Sequence, residues 1–443
     1  MAGKHGPVER FHNGRVERFH NDELIVPIPQ LDAVRGALPE YVKIGHTEKN
    51  AALGLARLSE LDLGPSGLDR VIRDVKAKLA DEYPGWQIVI GKNYVPSTVQ
   101  SDPHTDSAGR PLPHTDAVGH PDPHTDGAGH PDPHTDGTGK PTVTSADCAG
   151  PIVPDPHTDI ERKRAGAGQP GWGVRVGLVD TKLFPHESLA GHYYISRPDD
   201  LLSPSHSPYT ELDGHGTFVA SCILRQAPGA LLCVRHGLDQ DGVASAWHVA
   251  VSIAELAPLG LDVVNLSFGE YMTDDDAAPM VLDAAIRLFG RDTVVVASAG
   301  NNGDAKGSGA SGLPQGVTPS TTSYPAASPG VVAVGALNAH DDERADFTPH
   351  PAPWISLLAR GVKVNAAYLH GKVQLGQEKK PAEFKGFANW SGCSFAAAVV
   401  SGIIAARTEP GRRTAREALD ELVESLREKP WDGLSINPEL LIK

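Results

Sequence analysis

Val174-Arg175-Val176-Gly177-Leu178-Val179-Asp180-Thr181 is an apolar run that stops on a carboxylate. A run of this length and composition predicts a strand buried on both faces, as in the parallel sheets of α/β proteins. Open α/β sheets carry their sites at the carboxyl ends of the strands, which is where Asp180 falls. Next comes Asp213-Gly214-His215-Gly216-Thr217, followed by Phe218-Val219-Ala220-Ser221-Cys222-Ile223. That pattern predicts a loop opening into a buried helix, with glycines that let backbones approach closely. Near the end, Ser391-Gly392-Cys393-Ser394 precedes Phe395-Ala396-Ala397-Ala398-Val399-Val400, a helix of small and apolar residues. A hydroxyl at a helix start gains from oriented amides and the positive end of the dipole.

An acid, a base and a hydroxyl in these settings suit one chemistry. Serine is a poor nucleophile at neutral pH and needs a base to take its proton. Histidine titrates close to that pH, and a buried carboxylate can orient it and stabilise its imidazolium. A fourth segment, the predicted strand Thr293–Ser298 followed by Ala299-Gly300-Asn301-Asn302-Gly303, offers the Asn301 amide as a donor to an oxyanion.

From about Trp172 to Lys443 the chain resembles the subtilisin-like serine peptidases (subtilases), whose triad runs in the order Asp, His, Ser. The resemblance implies an α/β fold, a doubly wound and mostly parallel sheet with helices on both faces. It implies a serine endopeptidase in which Ser394 attacks, His215 shuttles the proton and Asp180 orients His215. Asn301 with the Ser394 amide would form the oxyanion hole. Asp262–Gly269 looks like the strand whose edge pairs with an extended substrate, placing Ser267, Phe268 and Gly269 on one wall of the specificity pocket. Ser298, Ala299 and Gly300 would form the opposite wall. Ala244–Ala254 looks like the family's central helix. The last helix is visible from periodicity: Thr414 to Glu417 makes a capping box before a stripe of Ala415, Ala418, Leu419, Leu422, Val423 and Leu426. No cofactor is required on this reading. Calcium stays open, but only Arg225–Ala230 follows the His215 helix, too short for the calcium loop of many secreted members. Cys393 stands where Thr is usual and Ala398 replaces a common Pro; a thiol beside the nucleophile is open to oxidation or simply fills space.

The 443 residues suggest two or three domains. A net charge of −15 argues against nucleic acid or anionic membrane as partner, leaving proteins or peptides. The start lacks the apolar core of a signal peptide, and no apolar run of about twenty residues follows. Cys148, Cys222, Cys233 and Cys393 show neither a disulfide framework nor a zinc spacing, so reduced thiols and a cytoplasmic location are expected. Export by an unrecognised route stays open.

Residues 1–22 carry a duplication, Val8-Glu9-Arg10-Phe11-His12-Asn13 recurring as Val16-Glu17-Arg18-Phe19-His20-Asn21, and are expected to be a tail. Residues 23–97 look like a small α+β domain. In it, Leu68, Val71, Ile72, Val75 and Leu79 form a helical stripe behind Ser66, and Trp86–Ile90 is expected to be a strand. Its place and size fit the subtilase prodomain, an aid to folding and an intramolecular inhibitor. Residues 98–171 form a linker. Gly and Pro make up about 30% of residues 101–170, which contain no Phe, Tyr or Trp and cannot bury a core. Here Pro-His-Thr-Asp recurs every ten residues with His104, His114, His124 and His134 in register, and again at His157. The repeats fit an acidic, Pro-stiffened tether, a divalent-metal trap, or a cleavable spacer or peptide. Glu161-Arg162-Lys163-Arg164 is either a processing site or a solvated charge run. Residues 172–443 are the peptidase-like domain. Two rival functions stand beside hydrolysis: the same acyl-enzyme given to an amine would ligate or cyclise peptides, and a non-catalytic scaffold would leave the repeats as a metal-binding part.

Overall fold

The computed structural model describes residues 8–12, 15–64, 66–95, 153–154, 168–204, 208–272, 280–304, 317–375, 380–429 and 433–437. The Pro-His-Thr-Asp histidines His104, His114, His124 and His134, and the Glu161–Arg164 cluster, lie outside the described residues.

The amino-terminal domain is a five-stranded antiparallel sheet with two helices. Its elements are β1 (Val8–His12), β2 (Arg15–Pro27), α1 (Leu31–Ala37), β3 (His46–Asn50), β4 (Leu55–Ser59), α2 (Leu68–Glu82) and β5 (Gly91–Tyr94). The strands run β1-β2-β4-β3, with β5 also on β2. The duplicated hexapeptides are not a tail. They pair with each other as β1 and the start of β2, Val8 opposite Phe19 and Phe11 opposite Val16. The strand expected at Trp86–Ile90 is shifted to Gly91–Tyr94. Residues 86–90 reach no ladder; instead the Gln30 side chain donates to the Gln87 carbonyl and accepts from the Val89 amide. The α2 helix follows its stripe, with Leu68, Val71, Val75 and Leu79 buried.

The alternation of a pleated strand explains how this domain docks. Leu24, Val26, Ala56 and Leu58 pack with α1 and α2 in the domain's own core. Their neighbours Ile25 and Leu55, with Leu53, join a core of the second domain instead. The Arg57 guanidinium lies 5.9 Å over the Trp247 ring. Asn93, fully buried, donates to Glu23 and accepts from the Trp247 amide at 3.0 Å.

The second domain begins, in the described chain, with the short β6 (Val153–Pro154), which pairs with a strand near the site. It continues as β7 (Arg175–Asp180), β8 (Tyr193–Ile195), β9 (Tyr209–Thr210), α3 (His215–Gln226), β10 (Leu231–His236), α4 (Ala246–Leu256), β11 (Val263–Leu266), β12 (Glu270–Met272) and α5 (Met280–Ile286). Then follow β13 (Val294–Ser298), β14 (Thr322–Tyr324), β15 (Val331–Leu337), β16 (Leu357–Arg360), β17 (Val364–Gln374), β18 (Ala382–Trp390), α6 (Cys393–Arg407), α7 (Ala415–Glu428) and β19 (Leu434–Ile436). Eight strands form the main sheet in the order β19-β16-β15-β13-β11-β7-β10-β8, parallel except for β19. This is the expected doubly wound α/β architecture.

Both faces of the sheet are covered, which accounts for the apolar runs. Val176 and Leu178 of β7, Val263 of β11, and Val294 and Val296 of β13 pack with α3, α6 and α7. Val179, Val264, Leu266, Val295 and Ala297 face α4 and α5. Ser245 caps α4 by accepting from His248, and Thr414 with Glu417 forms the predicted box at α7. Among the described residues, no helix is long and apolar enough to cross a membrane.

The Asn93 contacts generate a test. Asn93→Ala strands the Trp247 amide at the domain junction, at a cost of about 1–3 kcal/mol. The urea midpoint of the full chain should fall; an unchanged midpoint would show the contact to be energetically idle.

Candidate active site

Three adjacent parallel strands, β7, β11 and β13, end side by side, and each delivers one part of the site. Asp180 is the last residue of β7 and is fully buried. Its Oδ1 accepts from the Thr181 amide at 2.7 Å and lies 2.7 Å from His215 Nδ1. A carboxylate accepts, so Nδ1 carries a proton, and in the neutral imidazole Nε2 then keeps the lone pair. His215 Nε2 is buried and finds no hydrogen-bond partner among the described residues.

His215 is the first residue of α3, and that helix start is fastened to the end of β7 by Thr181. The Thr181 hydroxyl donates to the Leu212 carbonyl and accepts from the Gly216 amide, both at 3.0 Å. A Cβ on Gly216 would come within 2.5 Å of the Thr181 carbonyl, so only glycine allows this approach. The imidazole is wedged edge-on against Trp390, 5.8 Å between centroids, with Phe395 at 5.6 Å. Its ring can carry a proton but has little freedom to turn.

Ser394 is the second residue of α6 and is fully buried. Its hydroxyl donates to the Ser267 carbonyl at 3.2 Å rather than to His215. In return, the Ser267 hydroxyl donates to the Ser394 carbonyl at 3.0 Å. Behind this pair, Asn265 on β11 donates to the Ser267 hydroxyl and accepts from the Ser401 hydroxyl of α6, both at 2.9 Å. Asn301 lies beyond β13. Its Oδ1 accepts from the Cys393 amide at 3.1 Å, its own amide donates to the Tyr271 hydroxyl at 2.9 Å, and its Nδ2 is a buried donor with no partner among the described residues. A buried imidazole nitrogen and a buried side-chain donor, both without partners among the described residues, thus accompany a serine hydroxyl at this end of the sheet.

The predicted residues therefore converge: Asp180, His215, Ser394, Asn301, Ser267 and Ser298 to Gly300 all lie at this end of the sheet. One expectation needs correction. Asp262–Gly269 does not present a free substrate edge along its length, because β11 is bonded on one side to β7 and on the other to β13. Only Ser267, Phe268 and Gly269, past the ladder, remain for that role. Cys393 is buried, with Sγ 3.5 Å from the Thr348 hydroxyl, which favours the space-filling role. The Cys222 thiol is pushed up to about 12 by burial, and burial also raises Cys233. After α3 the chain turns through Ala227–Ala230 directly into β10, the short connection the sequence predicts.

Sequence reading missed Asn265, Ser401 and Tyr271. A signal existed for Asn265: it interrupts the run Val263-Val264-Asn265-Leu266, and a buried amide demands partners. Among the described residues one His/Asp/Glu group, His20, Asp22 and Glu23, is close enough to share a cation. Glu23, however, already accepts from Asn93 and faces the Arg57 guanidinium at 3.5 Å.

The family model of the Subtilase family matches residues 171–423, and the chain belongs to that family. It is similar to a thermophilic serine proteinase of Bacillus sp. (strain AK1), 26% identical over 268 residues, covering 57% of each chain. It is 28% identical to subtilisin E of Bacillus subtilis (strain 168) over 208 residues, 45% of this chain and 49% of that one. The chain thus spans about half the length of these curated relatives. In structure it resembles fervidolysin from Fervidobacterium pennivorans, described as a keratinolytic enzyme related to subtilisin. The TM-score is 0.57 at 18% identity, covering 96% of this chain and 60% of that one.

Thr181→Val keeps the shape of the strand end but leaves the Gly216 amide without its acceptor, while the Leu212 carbonyl keeps the His215 amide as a donor. One buried group stranded should cost about 1–3 kcal/mol, read as a lowered thermal midpoint.

Proposed function

We propose that the protein is a serine endopeptidase that cleaves proteins or peptides through an acyl-enzyme. The observation carrying this reading is the buried Asp180–His215 pair, with Nε2 left as an unengaged base at the start of the helix next to the nucleophile's own. In this reading the Ser394 hydroxyl leaves the Ser267 carbonyl and turns to Nε2. As Oγ attacks the scissile carbonyl, its proton passes to Nε2, and Asp180 holds the resulting imidazolium. The carbonyl oxygen becomes an oxyanion, which the Asn301 amide and the Ser394 backbone amide stabilise. Collapse of the tetrahedral intermediate breaks the C–N bond, and His215 returns its proton to the leaving amine. Water, deprotonated by His215, then releases the acyl group and restores Ser394.

The amino-terminal domain acts in this reading as an intramolecular chaperone and inhibitor. Support comes from its place: one face of its sheet, through Ile25, Leu53 and Leu55, is buried in the core built around α4 and α5.

A fluorophosphonate should label Ser394 in the mature protein and fail on Ser394→Ala; a labelling pattern indifferent to that change would sink the peptidase reading. Asn301→Ala should keep labelling capacity but lose about 10²–10³ in kcat, the cost of removing one such donor in subtilisin itself. Residues 172–443 expressed alone should fold poorly and recover when residues 8–95 are added in trans. Normal folding with full activity would exclude the chaperone role.

A further inference from the structure

The walls expected to flank the substrate side chain are Ser267–Gly269, past β11, and Ser298–Gly300, at the end of β13. Against both walls lies a separate two-stranded ladder, β12 with β14, in which Tyr271 stands opposite Ser323. Directly opposed residues of an antiparallel pair project to the same face. Each of these two meets one wall. A Cβ built on Gly269 would come within 2.2 Å of the Ser323 hydroxyl. One built on Gly300 would come within 2.9 Å of the Tyr271 hydroxyl and 3.0 Å of its Cε1. Gly300 has φ of +95°, so its backbone already favours glycine, and the tyrosine ring lies directly against it. The ring is also held: its hydroxyl accepts the Asn301 amide proton at 2.9 Å. Ser323 is nearly fully buried beneath Gly269.

We propose that Tyr271, seated on Ser323, forms the floor of the specificity pocket and restricts the residue on the acyl side of the scissile bond to small side chains, glycine, alanine or serine. This rests on the peptidase reading above and deepens it. An aromatic or long aliphatic side chain entering between the walls would have to displace a ring anchored to the residue that supplies the oxyanion donor. Displacement would break the bond to the Asn301 amide and disturb the neighbouring Nδ2 donor. A large residue would therefore lose in turnover as well as in binding. The anchor makes Tyr271 a specificity residue whose removal changes size preference, whereas a merely structural tyrosine would affect all substrates alike.

The test uses the full chain and two peptide series that differ only at the acyl-side residue, alanine against phenylalanine. Active sites are counted in each preparation by fluorophosphonate labelling. Wild type should favour alanine in kcat/KM by about tenfold or more. Tyr271→Ala should raise kcat/KM for the phenylalanine peptide by about 10- to 100-fold relative to the alanine peptide, the range by which an apolar pocket discriminates size. Tyr271→Leu, which still fills part of the floor, should move the preference part of the way and covers the case in which the alanine variant does not fold. Tyr271→Phe keeps the ring and should keep the size preference while lowering kcat. A wild type that already favours phenylalanine overturns the proposal, as does a labelled Tyr271→Ala or Tyr271→Leu whose preference has not moved. A wild type that does not label at all removes the peptidase reading beneath it, an outcome distinct from either.

Discussion

A chain of buried polar side chains holds the site together: the Ser401 hydroxyl to Asn265, Asn265 to the Ser267 hydroxyl, and Ser267 to the Ser394 carbonyl. Every member is fully buried, so each bond unmade would expose an unsatisfied group to an apolar interior. The chain joins α6 to β11 and the residue just past it at two heights, about two turns apart, and thereby fixes both the rotation and the depth of the helix that carries Ser394. Asn301 adds a third fixing from β13 by accepting the Cys393 amide. With helix and strands so tied, the hydroxyl of Ser394 has a defined resting partner, the Ser267 carbonyl.

The groups proposed to react were legible in the sequence because that chemistry constrains their neighbours. Asp180 needs a buried strand behind it, His215 needs glycine at Gly216 to come under Thr181, and Ser394 needs a helix of small residues. Each constraint leaves a local trace within a few residues. The supporting groups leave no such trace, since Ser401 and Asn265 are 136 residues apart and a serine in a helix is unremarkable by itself. Tyr271 was hidden for the same reason: its meaning depends on Ser323 across a ladder and on Asn301 beyond another strand. The order of the eight strands was likewise unreadable beyond the class of sheet, because long apolar runs look alike wherever they sit.

At the amino terminus the failures have a common cause. The repeated hexapeptide carried no periodicity to favour either face, so its pairing with itself, Val8 opposite Phe19, had no signature of its own in the sequence. Trp86–Ile90 had the composition of a strand but no neighbouring edge to bond, and Gln30 satisfied part of its backbone instead. Composition proposes a strand; an available partner decides it. By contrast the α2 stripe and the Thr414–Glu417 box were read correctly because a helix carries its own hydrogen bonds and needs no distant strand.

The two domains share one apolar core, through Ile25, Leu53 and Leu55, yet are joined covalently only through the chain from residue 96 to residue 152. That separation makes the covalent link a concentration device. While it is whole, the amino-terminal sheet faces α4 and α5 at an effective concentration set by the connecting chain, in the millimolar range for short flexible links and lower for long ones. A single cut leaves every contact in place but hands the complex over to mass action. Retention then depends on how dilute the protein is: the same cleaved molecule stays closed in a crowded compartment and comes apart when diluted.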